Sequence, residues 1–161
     1  MRRLELQQTN RPMDTFTYWV EGDMLDMDTP YQRGHVWGEL RQRNLIKSII
    51  QGIPIASIVL NDRSKNKAWG GIWKKHLAVI DGKQRMTAVL DFVDSRFAVP
   101  GEWFGLDGQN YLFCELPVAR QRGFRHHPMA FSEVSLGSLE EEQEVFELVN
   151  FGGVPQGESD L

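Results

Sequence analysis

The stretch that most constrains this chain is Leu77-Ala78-Val79-Ile80-Asp81-Gly82-Lys83-Gln84-Arg85-Met86-Thr87-Ala88-Val89-Leu90. Leu77 to Ile80 is a short apolar run suited to a buried strand. Asp81-Gly82 is turn chemistry. From Met86 the apolar residues fall at positions 86, 89, 90 and 93, one stripe of an amphipathic helix, with Asp81 or Gly82 as its N-cap.

A helix start offers backbone N–H groups and the positive end of the macrodipole, which together suit an anion. Acidic residues normally occupy that first turn. Here it holds Lys83 and Arg85, with Gln84 as a neutral donor between them. Two readings follow. In one, an anion sits on the turn and Asp81 holds a divalent metal or orients a water. In the other, Asp81 caps the helix and the two cations face solvent.

A length of 161 residues suits one domain able to bury a core, and 41% hydrophobic content argues for a folded globule. A net charge of −4 argues against indiscriminate coating of DNA. Cys114 is the single cysteine and has no internal disulfide partner, as suits a reducing cytoplasm; it is expected as a small buried hydrophobe. No apolar stretch is long enough to span a membrane, and the N-terminus lacks a signal-peptide core.

Along the chain, residues 1–12 are polar, and the Asn10-Arg11-Pro12 break precedes the first helix. Met13 to Glu21 reads as a helix stopped by Gly22, and Asp23 to Asp28 alternates like a half-buried strand. In Pro30-Tyr31-Gln32-Arg33-Gly34-His35-Val36-Trp37, the two large aromatics anchor a loop, and Gln32 and Arg33 are planar groups suited to phosphate or base edges. Glu39 to Gln51 is a helix whose Arg41, Arg43 and Lys47 read as a solvated face, with a nucleic-acid patch as the alternative. Ser57 to Asn61 is a strand. Residues 62–75 interleave lysines with Trp69 and Trp73, the pattern of an exposed hairpin whose aromatics fold back. Tyr111 to Leu116 and Met129 to Val134 are candidate strands, and 120–127 is a cationic loop in which His126 and His127 lack the partners of a zinc site. Ser138 with Glu141 fits a capping box, and Glu140 to Glu142 suit the positive helix end. That helix ends at Asn150-Phe151-Gly152-Gly153-Val154-Pro155.

Three of these stretches carry a resemblance. The Pro30–Trp37 segment looks like P-x-Q-R-x-x-V-W, Ile80–Thr87 resembles D-G-Q-Q-R-L-T, and Phe146 with Asn150–Pro155 is similar to F-x-x-x-N-x-G-G-x-P. In this order they resemble the ParB/sulfiredoxin-like domain at the N-terminus of GmrSD-type modification-dependent restriction enzymes and of phosphorothioate-sensing defence proteins. The resemblance covers about residues 13–157 of a single 1–161 domain. It implies a compact α+β fold, a small mixed sheet flanked by helices.

It further implies that the signature loop binds a nucleoside triphosphate and hydrolyses it, with magnesium, in DNA processing or the conflict between phage and host. Carried over by position, Gln32, Arg33, Gly82, Lys83, Gln84 and Arg85 would contact the nucleotide or its phosphates. Asp81 would hold magnesium or orient water, so that Asp81 and Arg85 are the catalytic pair. Asn150 and Gly152 would close the pocket. Lys83 departs from the family's glutamine; it keeps a phosphate partner but loses the amide acceptor. Nuclease activity is not expected of this chain, which lacks a metal-finger nuclease pattern, so a protein partner would supply it. The ending Ser159-Asp160-Leu161 looks like a cap without its helix, as in a small single-domain phage version or a fragment. Two alternatives remain: a phosphotransferase acting on an acceptor other than water, and a non-catalytic module whose anion loop docks DNA or protein.

Overall fold

The computed structural model describes residues 3–32, 34 and 36–151. The elements run β1 (Gln7–Pro12), α1 (Asp14–Glu21), β2 (Leu25–Asp26), α2 (Glu39–Ile50), β3 (Ile58–Asp62), β4 (Leu77–Asp81), α3 (Lys83–Val93), β5 (Val99–Pro100), β6 (Asn110–Tyr111), α4 (Val118–Arg125), β7 (Pro128–Val134) and α5 (Leu139–Phe151). Five strands form one mixed sheet in the order β1-β7-β3-β4-β2, and β5 pairs with β6 separately. β1 with β7 and β3 with β4 are antiparallel, while β7 with β3 and β4 with β2 are parallel. The α+β class expected from the sequence is the class observed.

The unbroken apolar run of β4 has a simple cause: both of its faces are covered. Val79 joins a large cluster with residues of α1, α2 and α3, while Ile80 packs with Val134, Leu136 and Val145 beneath α5. Phe92, near the end of α3, meets Phe97, Phe104, Phe113 and Phe124 at centroid distances from 5.1 to 6.4 Å, which ties the irregular section after α3 to the core.

Several local expectations needed correction. Residues 7–12 are a strand, but an edge strand exposed along most of its length, so no apolar alternation marks it. The strand expected over 23–28 shrinks to Leu25–Asp26, because the Asp26 carboxylate accepts the N–H of Asp28 and turns the chain away. After Tyr111 the chain winds into a 3-10 turn at Phe113–Glu115, where Glu115 accepts the N–H of Leu112. Cys114 sits exposed in that turn rather than buried. The cationic segment near 120 is helix α4; Phe124 is its one buried residue, too little for an apolar stripe. Within 62–76, Trp69 folds back under Arg63 and donates its indole N–H to Leu136 O, whereas Trp73 stays 72% exposed.

The acidic run at the start of α5 divides. Glu141 behaves as a cap: its N–H bonds Ser138 Oγ, and its carboxylate accepts the N–H of Gly137. Glu142 instead has no solvent exposure. Its two oxygens take Arg63 Nε and Nη2, each at 2.7 Å, in a bidentate pair. Asn61 Nδ2 donates to it at 2.7 Å and Tyr31 Oη at 3.1 Å, while Arg63 Nη1 reaches Asp26 at 2.8 Å. Burial, with the Glu142 carboxylate alongside, holds the Tyr31 phenol well above its ordinary range, so it remains a donor.

Two outcomes are expected. Glu142→Ala leaves Arg63 buried without its main counter-charge and should cost about 3–5 kcal/mol in urea unfolding, with the double variant Glu142→Leu/Arg63→Met less damaged than Glu142→Ala. Above pH 10, unfolded Tyr31 ionises while the folded phenol keeps its proton, so this residue makes stability fall as pH rises. The stability difference between wild type and Tyr31→Phe should therefore shrink in titrations carried past pH 10.

Candidate functional site

The turn between β4 and α3 is built on Gly82, whose φ of 103° lies in the left-handed region and whose Cα faces Ile58 Cδ1 too closely for a Cβ. Gly82 is the N-cap, with no side-chain cap, and its carbonyl accepts the first helical bond from Met86 N at 2.9 Å. Asp81 does not cap the helix. Its carboxylate takes Arg85 Nη2 at 2.8 Å, and the same Nη2 reaches Ser57 O at 3.1 Å. Lys83 Nζ reaches Asp28 at 3.3 Å. Neither cation is a purely solvated group: each leans on an acid at the edge of the turn. Arg85 Nε is buried without an acceptor among the described residues.

The loop before α2 is fastened to this turn by two glutamines. Gln32 Nε2 donates to Val79 O at 2.8 Å and to Ile80 O at 2.9 Å, placing an extra rung on the end of β4. Gln84 Oε1 accepts the Trp37 N–H at 3.1 Å. Gln32 thus spends its amide donors on backbone and leaves its carbonyl for other work.

A cleft of about 680 Å³ opens between this turn, the loop and α5. Its walls include Gln32 and Trp37 from the loop, Asp81 to Arg85 from the turn, and Phe146, Asn150 and Phe151 from α5. The three sequence stretches, far apart in the chain, meet at one place. Asn150 lies on the wall with its Nδ2 turned to Phe146 O at 2.8 Å in its own helix. Arg33 and Gly152, also singled out from the sequence, lie outside the described residues.

Arg41 also lines the cleft, its guanidinium 4.5 Å from the Trp37 ring centroid. The sequence reading left it on a solvated helix face. Its signal was position: it sits in the first turn of α2, just after the loop's tryptophan. Among the described residues no three His, Cys, Asp or Glu side chains gather into a metal site, and Asp81 is the carboxylate on the cleft wall. Magnesium that arrives with phosphates needs only one or two protein carboxylates, so Asp81 fits that case and not an all-protein cage.

A family model described as GmrSD restriction endonuclease, N-terminal domain, matches residues 21–129. The chain belongs to that family. The match holds the Pro30–Trp37 loop and the Asp81–Arg85 turn of the cleft; the α5 wall lies beyond it. No curated protein and no solved structure matches the chain significantly. No helix among the described residues of this GmrSD-family chain is long and apolar enough to cross a membrane.

Gly82→Ala should distort the turn. A side chain there is strained at positive φ and collides with Ile58, so a loss of about 1–3 kcal/mol is expected in thermal or urea unfolding. A wild-type melting curve for that variant would mean the turn relaxes freely.

Proposed function

We propose that the cleft binds a nucleoside triphosphate, with the phosphates at the β4–α3 turn, and hydrolyses it in the service of DNA restriction. The observation that carries this reading is the convergence of three separated stretches on one cleft whose phosphate end has Arg41, Lys83 and Arg85 beside a helix start. First-turn N–H groups lack intrahelical acceptors and point along the positive end of the helix dipole.

In this reading Arg85 and Lys83 stabilise the negative charge that builds on the transferred phosphoryl group, and Arg41 on the cleft wall adds a third cation. When bound, magnesium supplies further neutralisation of phosphate charge. Asp81 holds the ion or orients a water, and its contact with Arg85 sets where its carboxylate points. Gln32 and Gln84 act through the loop, tying it and Trp37 to the end of β4 and the turn. Arg33, Asn150 and Gly152 complete the binding set carried over by family position. DNA cleavage belongs to a protein partner.

One observation favours a second reading, in which the cleft binds and does not turn over: the carboxylate on its wall is already tied to Arg85 at 2.8 Å. Metal-dependent phosphate release separates the two. The primary test is a thermal-shift panel of ATP, GTP, CTP and UTP, with and without magnesium, on wild type and Arg85→Ala. A triphosphate at a hundred times its Kd should add about 2.7 kcal/mol to wild-type stability. Arg85→Ala should remain folded by circular dichroism and lose that shift. An equal shift in the variant, or none with any triphosphate in wild type, would overturn nucleotide binding.

A further inference from the structure

A second hollow of about 510 Å³ adjoins the first, sharing Gln32, Phe146 and Phe151 with it as a common wall. The two differ sharply in chemistry. The first holds Arg41, Lys83 and Arg85. Among the described residues lining the second there is no lysine or arginine, and its charged group is Glu147. The remainder is largely aromatic or amide: Tyr31, Phe146, Phe151 and Gln143. Tyr31 and Phe146 have ring centroids 5.5 Å apart, inclined at 43°, and Phe146 and Phe151 lie 6.4 Å apart at 78°. The Tyr31 hydroxyl is held on the buried Glu142, so that ring is fixed before any ligand arrives.

A cationic hollow beside one whose described lining is aromatic and amide, with no lysine or arginine, fits a ligand with an anionic end and a flat, uncharged, polar end. We propose that the second hollow is the nucleobase subsite of the triphosphate cleft and that Glu147 makes it select guanine. The assignment rests on the nucleotide reading above. Aromatic walls supply stacking for any base. Discrimination falls to the exposed pair on α5, where Gln143 Nε2 donates to Glu147 Oε1 at 2.9 Å. That bond uses part of the carboxylate's acceptor capacity and orients the rest. Guanine presents two neighbouring N–H donors on its pairing edge, which a carboxylate accepts together. Uracil sets one N–H between two carbonyls, whose lone pairs would face the carboxylate. Gln143 and Glu147 are both solvent-exposed, so neither is needed for the core.

The test titrates the full chain with GTP, UTP and inorganic tripolyphosphate, on wild type and Glu147→Gln, which keeps the side chain's shape and its bond from Gln143. Wild type should bind GTP at least about tenfold more tightly than UTP or tripolyphosphate. Glu147→Gln should lose about tenfold in GTP affinity and bind tripolyphosphate as wild type does. Equal affinity of wild type for all three ligands would overturn the base subsite while leaving the phosphate site standing. So would a GTP preference that survives Glu147→Gln. Failure of all three to bind would overturn the nucleotide reading, and this assignment with it.

Discussion

A carboxylate and a guanidinium taken out of water lose hydration worth several kcal/mol each, and only close geometry with every remaining polar atom satisfied offsets that loss. Glu142 and Arg63 meet those terms through two parallel bonds, with Asn61 and Tyr31 on the carboxylate and Asp26 on the guanidinium. The members of this cluster come from β2, the loop after it, β3, the turn following β3, and α5. An apolar contact among these elements would tolerate sliding. A buried bidentate pair does not, and the position of α5 over β4 follows from it.

That position matters because α5 is one wall of the cleft and the Tyr31 loop is another. Both are referred to the same carboxylate, so the distance across the opening is set by polar contacts beneath it. The loop is then fixed a second time by Gln32 on the backbone of β4 and by Gln84 on the N–H of Trp37. Polar groups held this way need little reorganisation should a charged ligand enter, which is where much of the benefit of a preformed polar cleft lies.

The strand-turn-helix around Asp81 and Gly82 was legible in the sequence because period, turn residues and burial all agree there. α2, β7 and α5 were legible for the same reason. β1 was not: an edge strand with polar residues on both faces has no pattern to read. α4 was missed because one buried phenylalanine does not make a stripe. At the site, the stretches that line the cleft could be named individually, but their meeting depends on the sheet order, which local pattern does not contain. The role of Glu142 was hidden for a more specific reason. An acid in the first turn of a helix already has an adequate explanation in the helix dipole, and nothing local to position 142 announces Arg63, 79 residues away.

The family match ends at residue 129, inside β7, and begins at the last residue of α1. A fragment cut at those limits would keep the loop and the turn, which carry two of the three motifs. It would also lose β1, all of α1 but Glu21, most of β7 and the whole of α5, stripping the α5 covering from one face of β4, removing Phe16 and Trp19 from the cluster on the other, and leaving Arg63 without Glu142. The 21–129 stretch therefore lacks much of the packing, and the buried counter-charge of Arg63, that the whole chain supplies. Shuffling this domain between proteins means carrying α5 along, since that helix holds both Phe146 and Asn150 of the third motif and the buried Glu142.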